Sequence, residues 1–149
     1  MGEFTGPQYL DFFVSLSRNY PERQPYPGEL KFFASNTSVT GMGTEDKRVV
    51  VNPFIKLSPG ARVSTHRNER TRLLLEDMGY SPKAVPTSAQ KKLAQTWGGP
   101  YAQDETLLRK TIVGRILADD PTLGPYTSQQ IAEAAAITKL GMAHMKKNK

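Results

Sequence analysis

His66 and Glu69 stand three residues apart in the stretch "RVSTHRNERTR", Arg62 to Arg72. On a helix that spacing lets an imidazole and a carboxylate touch, and a carboxylate that holds an imidazole is a general-base arrangement. Asp46, from the acidic pair Glu45-Asp46, and Asn52 are the other side chains that could join it. A hydrolase-type enzyme on Asp46, Asn52, His66 and Glu69 requires all four to converge in one pocket. Against this, Arg62, Arg67, Arg70 and Arg72 surround Glu69. Guanidinium neighbours lower a carboxyl pKa and leave it a structural ion. Structural pairing is therefore the expectation for Glu69, and no residue is assigned as catalytic.

Other chemistries find less to work with. The chain has two histidines and no cysteine, whereas a zinc site needs three or four N, S or O ligands at set spacing. No metal and no cofactor is expected. The phosphate-binding glycine patterns are absent, and the Glu45-Asp46 pair after "GMGT" would repel a phosphate. Ser64 lies two residues from His66, on a different side of a helix, and no G-x-S-x-G elbow occurs. The lack of cysteine also removes disulfides and suits a reducing compartment.

The 149 residues fit one compact domain. Lys plus Arg number 20 against 14 acidic residues, a net charge of +6. This excess is modest for a dedicated nucleic-acid domain. Its densest groups are the Arg62–Arg72 stretch and Lys146, Lys147 and Lys149. A nucleic-acid-associated basic protein, gripping phosphate through that polar face (Arg62, His66, Arg67, Asn68, Glu69, Arg70, Arg72), stays open as an alternative. No apolar run is long enough to span a membrane, and the N-terminus lacks the basic start and apolar core of a signal peptide.

The elements that must position these residues follow from pattern and punctuation. Residues 6–18 carry Tyr9, Phe12, Phe13 and Leu16 at helical spacing, with Pro7 in the first turn. This aromatic helix can dock on the chain's own core, detach from it, or grip a neighbour. Tyr20, Arg23 and Tyr26 follow in a proline-rich connector, and Tyr and Arg are common interface anchors. "ELKFFAS" favours a strand, and "RVVVNPF" is the best strand in the sequence, ended by Asn52-Pro53. Residues 29–52 thus read as a β-hairpin whose edge is a second gripping element. At the corner Asn52 is expected to satisfy backbone groups.

Ser58-Pro59 starts a helix that Gly79 stops; its middle, 64–71, is almost wholly polar. Such a helix lies on the surface or holds a satisfied polar cluster. Further helices run from Thr87 or Ser88 to Trp97, through the apolar pattern that begins at Asp104, and from Thr127 or Ser128 to about Met145. "TSAQ" and "TSQQ" at 87 and 127 are both capping grammar rather than a repeat. The fold class expected is α+β: a short β-hairpin packed with about five α-helices, with a flexible basic tail at 146–149.

Three stretches taken in order carry a resemblance. They are "GELKFFASNTSVTGMGTEDKRVVVNPFIKLSP" (28–59), "RNERTRLLLEDMGY" (67–80) and "TIVGRILADDPTLGPYTSQQ" (111–130). Together they resemble a group of small, uncharacterised proteins of tailed bacteriophages. The acidic pair before "VVxNP" is matched by Glu45, Asp46, Asn52 and Pro53, and an Asn-Glu pair in the next helix by Asn68 and Glu69. The first helix matches nothing in that group. The resemblance implies a setting without a mechanism: a virion-associated structural or interaction protein, found in the virion or host cytoplasm. Its partners would be proteins, in a larger assembly or a homo-oligomer, with nucleic-acid contact as the lesser reading and no membrane.

Overall fold

The computed structural model describes residues 4–147. The helix α3 (Pro59–Met78) organises it. Ser58 caps its start by accepting from the Ala61 N–H at 3.1 Å, Pro59 occupies the first turn, and Gly79 ends it in the left-handed region at φ 63°. The polar middle is not a solvated face, although His66, Arg67 and Arg70 remain half-buried. Thr65, Glu69 and Thr71 are buried beside Leu73, Leu74 and Leu75. Of the two outcomes open to such a helix, the structure takes the enclosed polar cluster.

A helix with a polar middle can run through an interior only if its neighbours approach closely, and glycines on three of them allow it. In the hairpin, β1 (Gly41–Gly43) pairs antiparallel with β2 (Val49–Val51), Met42 opposite Val50. A Cβ on Gly41 would meet the Thr65 methyl at 2.7 Å, and one on Gly43 would meet Leu73 at 2.9 Å. In α6 (Glu105–Leu117), a Cβ on Gly114 would lie 2.2 Å from Asn68 Oδ1 and 3.2 Å from the Asn68 carbonyl. In α7 (Ser128–Lys147), a Cβ on Gly141 would strike Leu74 at 2.6 Å.

The first helix, α1 (Leu10–Asn19), follows a 3-10 turn at Pro7–Tyr9. It packs on α3 and α7. Phe12, Phe13, Leu16 and then Tyr20 are buried in one cluster with Leu74, Ile112, Ile116 and Ile137. Of the outcomes open to this helix, the structure shows docking on the chain's own core: these four residues stabilise it, at roughly 1.5–3 kcal/mol for each large side chain fully removed from water.

Two further expectations change. "ELKFFAS" is not a strand but part of a helix, α2 (Pro27–Ser35). Pro27 sits at its first position and Glu29 accepts the Tyr26 N–H at 2.8 Å, a helix-start signal that outweighs the β preference of the two phenylalanines. The hairpin accordingly shrinks to strands of three residues. Its edge is not free either. Val49 donates to the Pro21 carbonyl at 3.1 Å and accepts from Arg23 N–H at 3.0 Å, so residues 21–23 cover β2.

Seven α-helices are present among the described residues rather than about five. The additions are α2 and α5 (Gly99–Gln103), which restarts directly after α4 (Ser88–Trp97) because Gly98 and Gly99 take positive φ. The fold is mostly helical α+β. Lys146 and Lys147 continue α7 instead of forming a loose tail, and residues 148–149 lie outside the described part. No helix of the described residues is long and apolar enough to cross a membrane.

The two capping phrases meet in space. Gln90 and Gln130 each close a capping box, accepting the Thr87 and Thr127 N–H at 2.8 and 3.0 Å. Both are buried, and each amide donates to the other, at 3.0 and 2.8 Å. This reciprocal amide pair pins the starts of α4 and α7 together and leaves both side-chain oxygens satisfied.

The close approach of α6 to α3 has a direct test. Gly114→Ala is expected to destabilise the chain by about 1–3 kcal/mol in urea unfolding, because the Asn68 side chain must be displaced from the α3–α6 contact and its carbonyl must give slightly. Gly60→Ala, in the open first turn of α3 with nothing within 4 Å, is expected to be neutral or to stabilise by about 0.5–1 kcal/mol. Equal effects at the two sites would contradict the packing described.

Candidate interaction surface

The four residues that a hydrolase reading needs do not meet. Asp46 lies at the hairpin turn, where Arg23 Nε donates to it at 3.0 Å and the Thr44 hydroxyl donates a second bond. These bonds push its pKa down to about 2. Asn52 ties the corner after β2: its Nδ2 donates to Val39 O at 2.8 Å and its Oδ1 accepts from Phe54 N–H at 2.8 Å. Glu69 is enclosed beside Arg72, which donates at 3.3 Å, and the Gly43 N–H. His66 turns the other way, toward Glu22, with Nε2 2.6 Å from a carboxylate oxygen.

Two corrections follow. His66 pairs with Glu22 and not with Glu69. The Glu69 carboxyl pKa is raised rather than lowered, because burial outweighs the attraction of Arg72 and Arg115. Nor is the His66–Glu22 pair a poised base, since Arg62 donates to the other Glu22 oxygen at 2.7 Å.

The basic face divides in the same way. Arg72 points inward to Glu69. Arg67 lays its guanidinium 3.9 Å over the Phe13 ring. Arg70 donates to the Tyr20 carbonyl at 2.8 Å and to the Ser17 hydroxyl at 3.3 Å. Asn68 faces Gly114, and its Oδ1 has no hydrogen-bond partner. The arginines therefore do not form one continuous exposed stripe.

What Arg67, Arg70 and His66 do form is one wall of a groove. Arg67 meets Phe13 and Arg70 meets Ser17, so α1 and α3 run in the same direction, side by side. Between them lies an open groove of about 270 Å³. Phe13 and Leu16 line its floor, and Leu10, Val14 and Val63 line its sides. Those three side-wall residues are 60%, 39% and 48% exposed. Leu10, Val14 and Val63 thus bring exposed apolar surface next to the charged Arg67 and Arg70.

The interface residues expected from sequence are thus redistributed. Phe12, Phe13, Leu16 and Tyr20 belong to the core. Tyr9 is half-buried against Phe4, with ring centroids 4.8 Å apart. Arg23 is held by Glu29 at 2.7 Å and by Asp46, and covers the Tyr26 ring at 3.8 Å. Of this set Tyr26 alone is mostly exposed, together with Phe32 on α2 and Phe54 after the corner. Sequence reading places Leu10 on the first helix but does not name Val14 or Val63 as interface residues. The signal was there: Leu10 and Val14 share a face at i, i+4, one step around from the Phe12–Leu16 stripe.

Comparison with protein-family models, with curated proteins and with solved structures finds no match for this chain.

Burial is the largest influence on His66 and lowers its pKa; Arg70 and Arg62 push the same way against the opposing pull of Glu22. The unfolded chain then takes up the proton first as pH falls. His66 contributes stability that is complete above the free imidazole value of about 6.5 and is lost as pH falls through the depressed folded value. The stability difference between the chain and its His66→Gln variant is expected to shrink as pH is lowered from about 7.5 to about 5 in urea titrations. A difference that is constant or grows toward acid would contradict this.

Proposed function

We propose that this chain is a non-enzymatic structural or interaction protein of a tailed-phage virion, an adaptor, neck, tail or capsid-associated component. It works by docking another protein into the groove between α1 and α3. The phage setting rests on the resemblance carried by residues 28–59, 67–80 and 111–130. The docking role rests on one observation: Leu10, Val14 and Val63 stand exposed beside Arg67 and Arg70, while most of the chain's other large apolar side chains are covered.

A nucleic-acid role fits less well. A phosphate backbone is gripped by cations alone and needs no apolar surface, whereas Arg72 is turned inward to Glu69 and the groove sets Leu10, Val14 and Val63 beside Arg67 and Arg70.

Particles purified from a host carrying this gene are expected to contain the chain at a fixed copy number by quantitative mass spectrometry. Leu10→Asp with Val14→Asp changes only the exposed side of α1. It is expected to reduce incorporation at least about tenfold, as the loss of a contact worth about 1.4 kcal/mol would. Absence from mature particles, or incorporation unchanged by the double substitution, would overturn this reading.

A further inference from the structure

Resting on that docking role, the geometry points to the chemistry of the occupant: an acidic amphipathic helix of about two turns. The groove walls run from Leu10 to Ser17 on α1 and from Val63 to Arg70 on α3. At 1.5 Å per residue each wall is roughly 10–11 Å long. That length accepts two turns of a third helix, whose apolar side chains at i, i+3 or i+4, and i+7 fall between the ridges of α1 and α3.

Charge selects the partner's polar flank. Arg67 and Arg70 sit one turn apart on the same wall, with His66 beside them. Their guanidinium groups are engaged by neutral partners, namely the Phe13 ring, a carbonyl and a hydroxyl. Asp119 and Glu22 act on them electrostatically, yet burial prevails and both arginines hold their protons less firmly than free ones. A carboxylate brought to this wall supplies the counter-charge that the chain's own residues give only in part.

A second copy of the chain would bring an identical cationic wall and a net charge of +6, so self-pairing through the groove is disfavoured. A nucleic acid would leave Leu10, Val14 and Val63 uncovered.

The test uses the full chain labelled with ¹⁵N and two lactam-bridged helical peptides of about twelve residues. Both carry the same leucines at one-turn spacing; one has flanking glutamates and the other flanking lysines. The glutamate peptide is expected to shift the amides of 10–17 and 63–70 and to bind at least about tenfold more tightly than the lysine peptide. Arg67→Gln and Arg70→Gln should each narrow that ratio. Val14→Asp should weaken the glutamate peptide, with circular dichroism showing each variant folded.

Equal affinity of the two peptides, shifts confined to other segments, or no binding of either at millimolar concentration would overturn the inference. So would preferential filling of the groove by dodecanoate or by duplex DNA in the same titration. If the peptides fail while Leu10→Asp with Val14→Asp still lowers particle incorporation, the docking role stands and the acidic helix is discarded.

Discussion

Glu69 sets the constraint on which the structure depends. A carboxylate in the middle of a buried helix must be solvated by protein, since an isolated buried charge costs far more than a domain can tolerate. Here Arg72 and the Gly43 N–H do so, with Arg115 acting electrostatically. Each of those contacts fixes something larger. The Gly43 contact holds β1 against α3, and the pull of Arg115 ties α6 to the same centre. A buried pair of this kind contributes little net stability. Sliding α3 by one turn would strand the carboxylate away from the Gly43 N–H, which disfavours that register.

The glycines are the steric counterpart of that electrostatic requirement. Thr65, Glu69 and Leu73 form an i, i+4, i+8 ridge, and Gly41 and Gly43 leave the space that ridge needs on β1. Gly114 does the same for Asn68, and Gly141 for Leu74. Three faces of α3 are thereby committed to the interior. The fourth, with Val63, His66, Arg67 and Arg70, meets α1 and forms the groove. A wall fixed by core packing is preorganised, so little ordering cost falls on a partner that docks there.

Much of the scaffold was legible because its signals are local. Ser58-Pro59, Gly79, the Thr87 cap and Asp104, which accepts the Leu107 N–H at 3.2 Å, act within a few residues of themselves. Asn52 was readable for the same reason, since Asn-Pro after a β-branched run leaves its side chain to satisfy a corner. Three features were not. "ELKFFAS" carries β-favouring aromatics, and the Pro27 and Glu29 start signal that overrides them is easily passed over. The polar centre of α3 reads equally as surface or interior, and the deciding glycines lie in β1, α6 and α7. The partner of His66 is 44 residues distant in sequence, and no spacing rule reaches Glu22. The candidate site suffered most, because an exposed groove is defined by what fails to cover Leu10, Val14 and Val63.

Hydroxyl-radical footprinting of the chain, free and assembled in particles, addresses the central claim most directly. Leu10, Val14 and Val63 are open to oxidation in the free chain, and their labelling is expected to fall several-fold on assembly, while Tyr26 and Phe32 on the separate α2 surface serve as internal references. Unchanged labelling of the α1 and α3 groove in assembled particles would contradict the claim that this surface is where the chain meets its partner.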